Sequence, residues 1–156
     1  MTEREKKPAG LLYYADDPVL RLERMRSEEL CFSLNQLPPS KGEERKAILR
    51  ELLGTLPETY DLPPFQCDYG YNIHIGENCF INYRAVILDC APVHIGKQVF
   101  IGPSLSLYTV NHPMNPEERA AGRGSVIGAG SLVHKSIPKG VFAAGNPCRV
   151  IRPIVA

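Results

Sequence analysis

The sequence predicts a mainly β protein: a parallel β-helix of hexapeptide repeats, preceded by an α-helical hairpin. The first observation is a six-residue period between aliphatic positions from Ile75 onward. The second is a pair of helix signals ahead of the repeat, and the third is a polar segment at 108–123 that interrupts it. We therefore divide the chain into an N-terminal helical segment, 1–60, and a β-helix domain, 61–156, which carries loop 108–123.

The first helix of the hairpin is predicted over residues 16–36. Asp16 and Asp17 are both candidate N-cap residues, because a short carboxylate can accept the free amides of the first turn. Pro18 suits the first helical position, where its missing N–H costs nothing. The residues that fall near one face of this helix are Leu20, Arg24, Glu28 and Cys31.

The second helix follows the Pro-rich connection QLPPS. Ser40 to Glu43, SKGE, matches a capping box, in which the serine and the glutamate each bond to the other's backbone amide. Gly54 is a plausible stop. The apolar stripe that we expect to pack inward consists of Ile48, Leu49, Leu52 and Leu53.

The repeat is visible as an aliphatic residue followed by a small or polar one. The pairs Ile75-Gly76, Ile81-Asn82, Leu88-Asp89, Ile95-Gly96 and Ile101-Gly102 are six residues apart, except for slips around DCAP. The repeat resumes after the polar segment with Ile127-Gly128 and Val133. A helix cannot keep a period of six on one face, and a β-sandwich favours period-two alternation. A coil of three short strands can keep a period of six, because each strand then places one aliphatic residue inside the coil. Successive coils stack about 4.8 Å apart.

Composition excludes several classes of function. A net charge of +1 gives no electrostatic footprint for nucleic acid, and no apolar run approaches a membrane span. The charged N-terminus MTEREKKPAG shows no secretory signal. The five cysteines form no CxxC pair, which fits free thiols in a reducing, cytoplasmic location and argues against a zinc site. We expect no metal.

Several segments resemble the maltose and galactoside O-acetyltransferases, which are hexapeptide-repeat acyltransferases. They are LLYYADDPVLRLERMR, CDYGYNIHIGENCFINY, ILDCAPVHIG, VNHPMNPEERAAG and GSVIGAGSLVHKSIPKGVFAAGNPCRVIR. The resemblance implies a left-handed β-helix, a homotrimer with active sites between subunits, and acetyl-CoA as co-substrate. It also implies transfer of the acetyl group to a hydroxyl of a small sugar acceptor.

The catalytic residue that the resemblance implies is His112, in the segment NHPMNPEER. Acetyl-CoA is already an activated thioester, so the enzyme must make the sugar hydroxyl nucleophilic and needs no covalent intermediate. A histidine, with an ordinary pKa of about 6.5, suits the role of general base. On a loop outside the coil it can reach across a subunit interface, which a residue in the coil wall cannot do.

The resemblance also implies the binding residues. For the acceptor sugar they are Asp16, Arg24, Asp68 and Asn82, with the position of the aspartate on the first helix uncertain by one residue. For the cofactor they are Ala129, Lys135, Arg149 and Arg152, where basic side chains suit the phosphates of CoA. The GAG at Gly128 to Gly130 reads as a corner of the coil, so no Walker-type phosphate loop is implied.

Two alternatives stay open. In the family, roughly thirty more residues precede the segment matching GSVIGAG, whereas here Gly122 and Arg123 run straight into Gly124, and the chain has no tryptophan. The chain could therefore be a catalytically inactive, truncated trimeric β-helix. A metal site of the γ-carbonic anhydrase type would use His74 and His94, which the repeat places one above the other on adjacent coils.

Overall fold

The structure is a computed structural model that describes residues 1–57, 64–110, 126–131, 136–138 and 140–154, with the backbone alone at Val126. It consists of two compact units, Met1–Val110 and Asn111–Ala156. The division that the sequence suggests between residues 60 and 61 stays a prediction. In the described part of the chain, no helix is long and apolar enough to cross a membrane.

The first unit begins with three helices: α1 (Glu3–Lys6), α2 (Pro18–Gln36) and α3 (Gly42–Leu52). Thr2 and Glu5 close a capping box on α1 that the sequence analysis did not predict. Asp17 is the N-cap of α2, since its Oδ1 accepts hydrogen bonds from the amides of Val19 at 3.0 Å and Leu20 at 3.3 Å. The buried residues of α2 are Leu20, Ser27, Cys31 and Leu34.

Helix α3 lacks the capping box that was predicted at Ser40. Its N-cap is Lys41, which makes no side-chain cap bond, so Ser40 lies one residue outside the cap position. The Lys41 ammonium instead donates to Glu44 Oε1 at 2.8 Å. Leu49, Leu52 and Leu53 are buried as the apolar stripe predicts.

Seven short strands follow in the first unit: β1 (Phe65–Cys67), β2 (Ile73–Ile75), β3 (Phe80–Ile81), β4 (Ala85–Leu88), β5 (Val93–Ile95), β6 (Phe100–Ile101) and β7 (Ser106–Tyr108). They form three parallel sheets, ordered β1-β4-β7, β2-β5 and β3-β6. Each of the strands β1 to β4 pairs with the strand twenty residues further on, as Ile73 does with Val93 and Phe80 with Phe100. This is the stack of parallel coils that the repeat predicts.

The core of these coils holds the aliphatic residues of the repeat. Ile75 and Ile81 are buried, whereas Ile95 and Ile101 are half-buried against the same core in the last coil of the unit. On the β4 wall the inward residue is Ile87, not Leu88, which corrects the pair Leu88-Asp89. The six-residue period explains this correction, because Ile87 is six residues after Ile81 and Leu88 is seven.

The slip in the repeat becomes a wide corner of the coil. A coil of twenty residues is two longer than three units of six. The additional residues fall between the end of β4 at Leu88 and the start of β5 at Val93, in the segment DCAP. This corner directs Asp89 and Cys90 into the interior.

The second unit contains β8 (Val126–Ile127), β9 (Val141–Ala144) and β10 (Arg149–Pro153). Strand β9 pairs with β8 in parallel and with β10 in antiparallel orientation. Gly145, with a φ of +102°, and a cis Asn146–Pro147 peptide bond form the turn between β9 and β10. Ala143 and Cys148 are its buried hydrophobic residues in the described ranges.

Candidate active site

A buried tyrosine organises a polar cluster where α2 meets the β1–β2 corner. Tyr69 is 1% exposed, and its hydroxyl accepts a hydrogen bond from Arg24 Nη1 at 2.9 Å. Arg24 Nη2 donates to the Ala15 carbonyl at 2.7 Å, which holds the guanidinium in place. The Lys7 ammonium lies 2.9 Å from the centroid of the Tyr69 ring. We call the set Lys7, Arg24, Asp68, Tyr69, Asp89 and Cys90 the Tyr69 cluster.

Asp89 holds the backbone of this cluster from the neighbouring coil. Its Oδ1 accepts hydrogen bonds from the amides of Asp68 at 3.1 Å and Tyr69 at 2.8 Å. The Asn72 amide group donates to the Asp89 carbonyl at 2.6 Å. Asp89 Oδ2 is buried without a hydrogen-bond partner among the described residues. Burial raises the pKa of this carboxyl, against the opposing effect of these backbone bonds.

Asp68 is the carboxylate of the cluster that reaches the surface. It is half-buried, and its Oδ2 accepts from the Cys90 thiol at 3.4 Å. Burial raises the pKa of Cys90, so that the thiol stays protonated and can donate this bond. Asp68 is thus the half-buried carboxylate of the cluster, and Asp89 is the fully buried one.

The charges of the cluster are tuned by its surroundings. Burial lowers the pKa of Lys7 to about 8. Burial also acts to lower the pKa of Arg24, but the Tyr69 hydrogen bond and the carboxylates of Asp68 and Asp16 raise it overall. A fixed guanidinium and an accessible carboxylate side by side can donate to and accept from the hydroxyls of a polyol.

Of the other two predicted acceptor residues, Asp16 lies close enough to raise the pKa of Arg24, whereas Asn82 lies elsewhere. Asp16 is exposed, just ahead of the Asp17 cap. Asn82 follows β3 at a different corner of the coil, where its Oδ1 accepts from the Tyr83 amide at 2.8 Å. The structure thus brings Arg24 and Asp68 to one place, and no contact described in the structure joins Asn82 to them.

The second unit contains all four predicted cofactor residues, and the structure describes three of them. Ala129 lies in the turn after β8, and Arg149 and Arg152 are exposed on β10. A register shift between Val150 and Arg152 aligns Arg149 with Ala144 and Arg152 with Phe142. Ala144 and Phe142 are two residues apart, so the bulge puts both arginines on one face of the hairpin. Without the bulge, Arg149 and Arg152 would face opposite sides of the hairpin, because they are three residues apart on an extended strand.

The Arg152 guanidinium lies 6.0 Å from the centroid of the Phe142 ring and donates to the Pro153 carbonyl at 3.4 Å. His112 and Lys135 lie outside the described residues.

The two histidines of the alternative metal site are stacked. His74 and His94 are register partners on β2 and β5, and their rings lie 4.7 Å apart at 12°. His74 Nδ1 is engaged with the Thr55 hydroxyl at 3.0 Å. Within the described ranges, no group of three or more His, Cys, Asp or Glu side chains could hold a metal ion.

Sequence reasoning missed four members of the cluster: Lys7, Tyr69, Asp89 and Cys90. The sequence did contain a signal for Asp89 and Cys90, because the six-residue period slips at DCAP and the extra residues of the coil must form a bulge there. Lys7 carries no such signal, since a lysine in a charged N-terminal segment looks solvated.

Residues 8–57 match the family described as the maltose acetyltransferase hexapeptide capping motif. The galactoside O-acetyltransferase of Escherichia coli strain K12 is 36% identical over 183 residues, which cover 99% of this chain and 89% of that protein. The crystal structure of a maltose O-acetyltransferase from Clostridium difficile 630 matches with a TM-score of 0.72 and 36% identity, covering 100% of this chain and 99% of that chain. A galactoside acetyltransferase in complex with coenzyme A matches with a TM-score of 0.71 and 33% identity, covering 99% of this chain and 92% of that chain.

The alignment with the E. coli enzyme also measures what this chain lacks. It runs over 183 positions, whereas 99% of a 156-residue chain is about 154 residues, so about 29 positions have no counterpart here. That number agrees with the missing segment of roughly thirty residues, whose location after Gly122 stays a prediction. With identity above 30% across nearly its full length, this chain belongs to the maltose and galactoside O-acetyltransferase family of hexapeptide-repeat acyltransferases.

Proposed function

We propose that this chain transfers the acetyl group of acetyl-CoA to a hydroxyl of a maltose-, glucoside- or galactoside-like sugar. The observation that carries the proposal is the Tyr69 cluster, where the half-buried side chains of Arg24 and Asp68 lie near each other as a hydrogen-bond donor and an acceptor. Charged side chains of this kind can bond to the hydroxyls of a sugar. The relatives named for galactoside and maltose acetylation support the same acceptor class.

In the mechanism that we propose, His112 removes the proton of the sugar hydroxyl as its oxygen attacks the thioester carbonyl carbon. The carbon–sulfur bond then breaks, and His112 returns the proton to the departing CoA thiolate. Arg24 and Asp68 orient the acceptor, while Asp16 adds negative charge near Arg24. Orientation of this kind is the main contribution an enzyme makes when the donor is already activated.

For the cofactor, Arg149 and Arg152 are proposed to meet the phosphates of CoA, with Ala129 and Lys135 along the pantetheine. Support comes from the β10 bulge, which sets two exposed guanidinium groups on one face. The family relative solved with coenzyme A supports this cofactor.

A homotrimer is proposed, with a left-handed coil and a cytoplasmic location, as the family implies. The β3–β6 wall supports association because Phe80 is 49% exposed and Phe100 78%, and their rings lie 6.4 Å apart. Two exposed phenylalanines side by side are costly in water. Association would also allow Asn82 of one subunit to approach the Tyr69 cluster of another.

The test is release of CoA thiol from acetyl-CoA with a panel of maltose, glucosides and galactosides. His112→Ala should abolish release, and Asp68→Ala or Arg24→Leu should weaken acceptor binding. The matched controls His74→Ala and His94→Ala should stay close to wild type. Activity that survives His112→Ala but requires zinc and His74 would overturn the proposal in favour of the metal site.

A second function is favoured by the 29 unmatched positions: a trimeric β-helix that has lost catalysis. Removing a coil would displace the elements that follow it by about 4.8 Å. A misplacement of about 1 Å can already cost a hundredfold in rate. A trimer in sedimentation that binds acetyl-CoA yet releases no CoA thiol with any acceptor would establish this alternative.

A further inference from the structure

Two buried cysteines face each other where α2 packs on the first strand of the coil. Cys31 Sγ lies 3.7 Å from Cys67 Sγ, and Ser27 Oγ lies 3.4 Å from the same Cys67 sulfur. Two further cysteines, Cys79 and Cys90, instead donate to oxygen atoms, of Gly96 and Asp68. Cys31 and Cys67 are thus paired through sulfur, and acetyl transfer as proposed does not use them.

The contact is held in register by the residue one helical turn further along. Asn35 Nδ2 donates to the Phe65 carbonyl at 3.0 Å, and the Phe65 amide donates to Asn35 Oδ1 at 3.1 Å. Asn35 follows Cys31 by four residues on α2, and Phe65 precedes Cys67 by two on β1, so each pair faces the same way. This double hydrogen bond fixes the distance between the two elements beside the thiols.

The thiols are reached through a cleft. Cys31 is 4% and Cys67 7% exposed, and both line a cavity of about 530 Å³ between α2 and the β1–β4 wall. Its other lining residues include Glu28, Asn35, Gln66 and Asp68. The cavity is large enough to admit part of a small thiol reagent, and its lining is mixed, since Phe32, Val86 and Leu88 also contribute to it.

The two sulfurs differ in acidity. A hydrogen bond from Cys67 lowers the pKa of Cys31 despite its burial. The same bond, together with burial, raises the pKa of Cys67. Cys31 is therefore the sulfur that first becomes a thiolate, which is the form that attacks a disulfide.

We propose that Cys31 and Cys67 form a dithiol site that a small-molecule disulfide of the glutathione class converts into an intramolecular disulfide. The Cys31 thiolate attacks one sulfur of the reagent, forms a mixed disulfide and releases one thiol. Cys67 then attacks the Cys31 sulfur, loses its proton and releases the second thiol. The protein loses two electrons and two protons, and the reagent gains them as two thiols.

The product fastens α2 to β1, next to Asp68, and closes a loop from residue 31 to residue 67. A cross-link of this kind restricts the unfolded chain and raises the melting temperature. Formation requires the sulfurs to move from 3.7 Å to about 2.05 Å, a shift that side-chain rotation can supply when the backbones are already in place.

The experiment treats the reduced, full-length chain with oxidised glutathione and then blocks the remaining thiols with N-ethylmaleimide in denaturant. We expect wild type to lose two of its five blockable thiols and to give one peptide pair linked through Cys31 and Cys67. Oxidation should raise Tm by roughly 5–10 °C. Cys31→Ser and Cys67→Ser should lose both effects, and the matched control Cys79→Ser should keep both.

As a check on wild type alone, phenylarsine oxide, which bridges two neighbouring thiols, should bind the native protein once and prevent the disulfide. Five blockable thiols after oxidation, or a linked pair that includes another cysteine, would overturn the proposal. The readouts are thiols and melting, so the result is independent of acetyl transfer.

Discussion

At the scale of single residues, the two oxygens of Asp89 have different surroundings. Oδ1 accepts the amides of Asp68 and Tyr69, and Oδ2 is buried with no donor in the described part of the chain. The carboxylate therefore fixes the backbone of Asp68 and Tyr69, but its charge is poorly solvated. This explains why burial raises its pKa.

Asp89→Ala should destabilise the protein by about 2–4 kcal/mol, because the Asp68 and Tyr69 amides lose their acceptor. Asp89→Asn keeps an acceptor at Oδ1 and should cost about 1 kcal/mol or less. Since the folded-state pKa is raised, folding disfavours the charged form, and wild type should lose stability relative to the Asn variant as pH rises from 4 to 7. Urea unfolding of the three proteins measures this, and equal losses in both variants would contradict it.

Lys7 gives a second test of the cluster, in which the free energy of unfolding should rise with pH instead of falling. Its pKa falls from 10.5 to about 8 in the folded protein, so between these values the unfolded chain binds more protons. Stability contributed by this group must rise with pH across that window. Relative to Lys7→Met, wild type should gain at most about 3 kcal/mol between pH 7 and pH 10.5. Unfolding free energies of wild type and Lys7→Met that change equally between pH 7 and pH 10.5 would contradict the burial of the Lys7 charge.

At the scale of elements, spacing alone predicted the stacked coils. The six-residue period places Ile75 and Ile81 inside and aligns His74 with His94, as observed. Spacing could not predict which residue fills the wide corner, because a slip shows only that two residues are extra. Nor could it distinguish Asp16 from Asp17 as the cap, since both side chains suit that position and the geometry of the chain entering α2 decides.

Two glycines at equivalent positions of adjacent coils test the stacking. A Cβ added to Gly76 would lie 2.7 Å from the Gly96 carbonyl oxygen, whereas one added to Gly96 meets nothing within 4 Å. Gly76→Ala should therefore push two backbones apart and cost about 1–3 kcal/mol. Gly96→Ala should stay within about 0.5 kcal/mol of wild type. Thermal unfolding distinguishes them, and equal melting temperatures would refute the close approach of the coils.

At the scale of the whole molecule, the proposed functions divide between the two units. The Tyr69 cluster belongs to the first unit and the arginine face of β10 to the second. The proposed acetyl transfer also requires His112, which belongs to loop 108–123 and lies outside the described residues. That segment, with His112, is where the chain is predicted to be shorter than its relatives.

The last prediction concerns this segment. We insert the roughly thirty residues that the E. coli enzyme has in the predicted gap between Gly122 and Gly124, which should restore a wall of the CoA groove and an oxyanion donor. Losing such a donor costs about 10²–10³ in rate, and misplacement by a coil costs more. CoA release should therefore rise by on the order of a thousandfold or more, with His112→Ala abolishing the gain. A Gly/Ser segment of equal length is the control and should give no gain. Robust turnover by the chain as it stands, unchanged by the insertion, would show that its shorter join already aligns donor and acceptor.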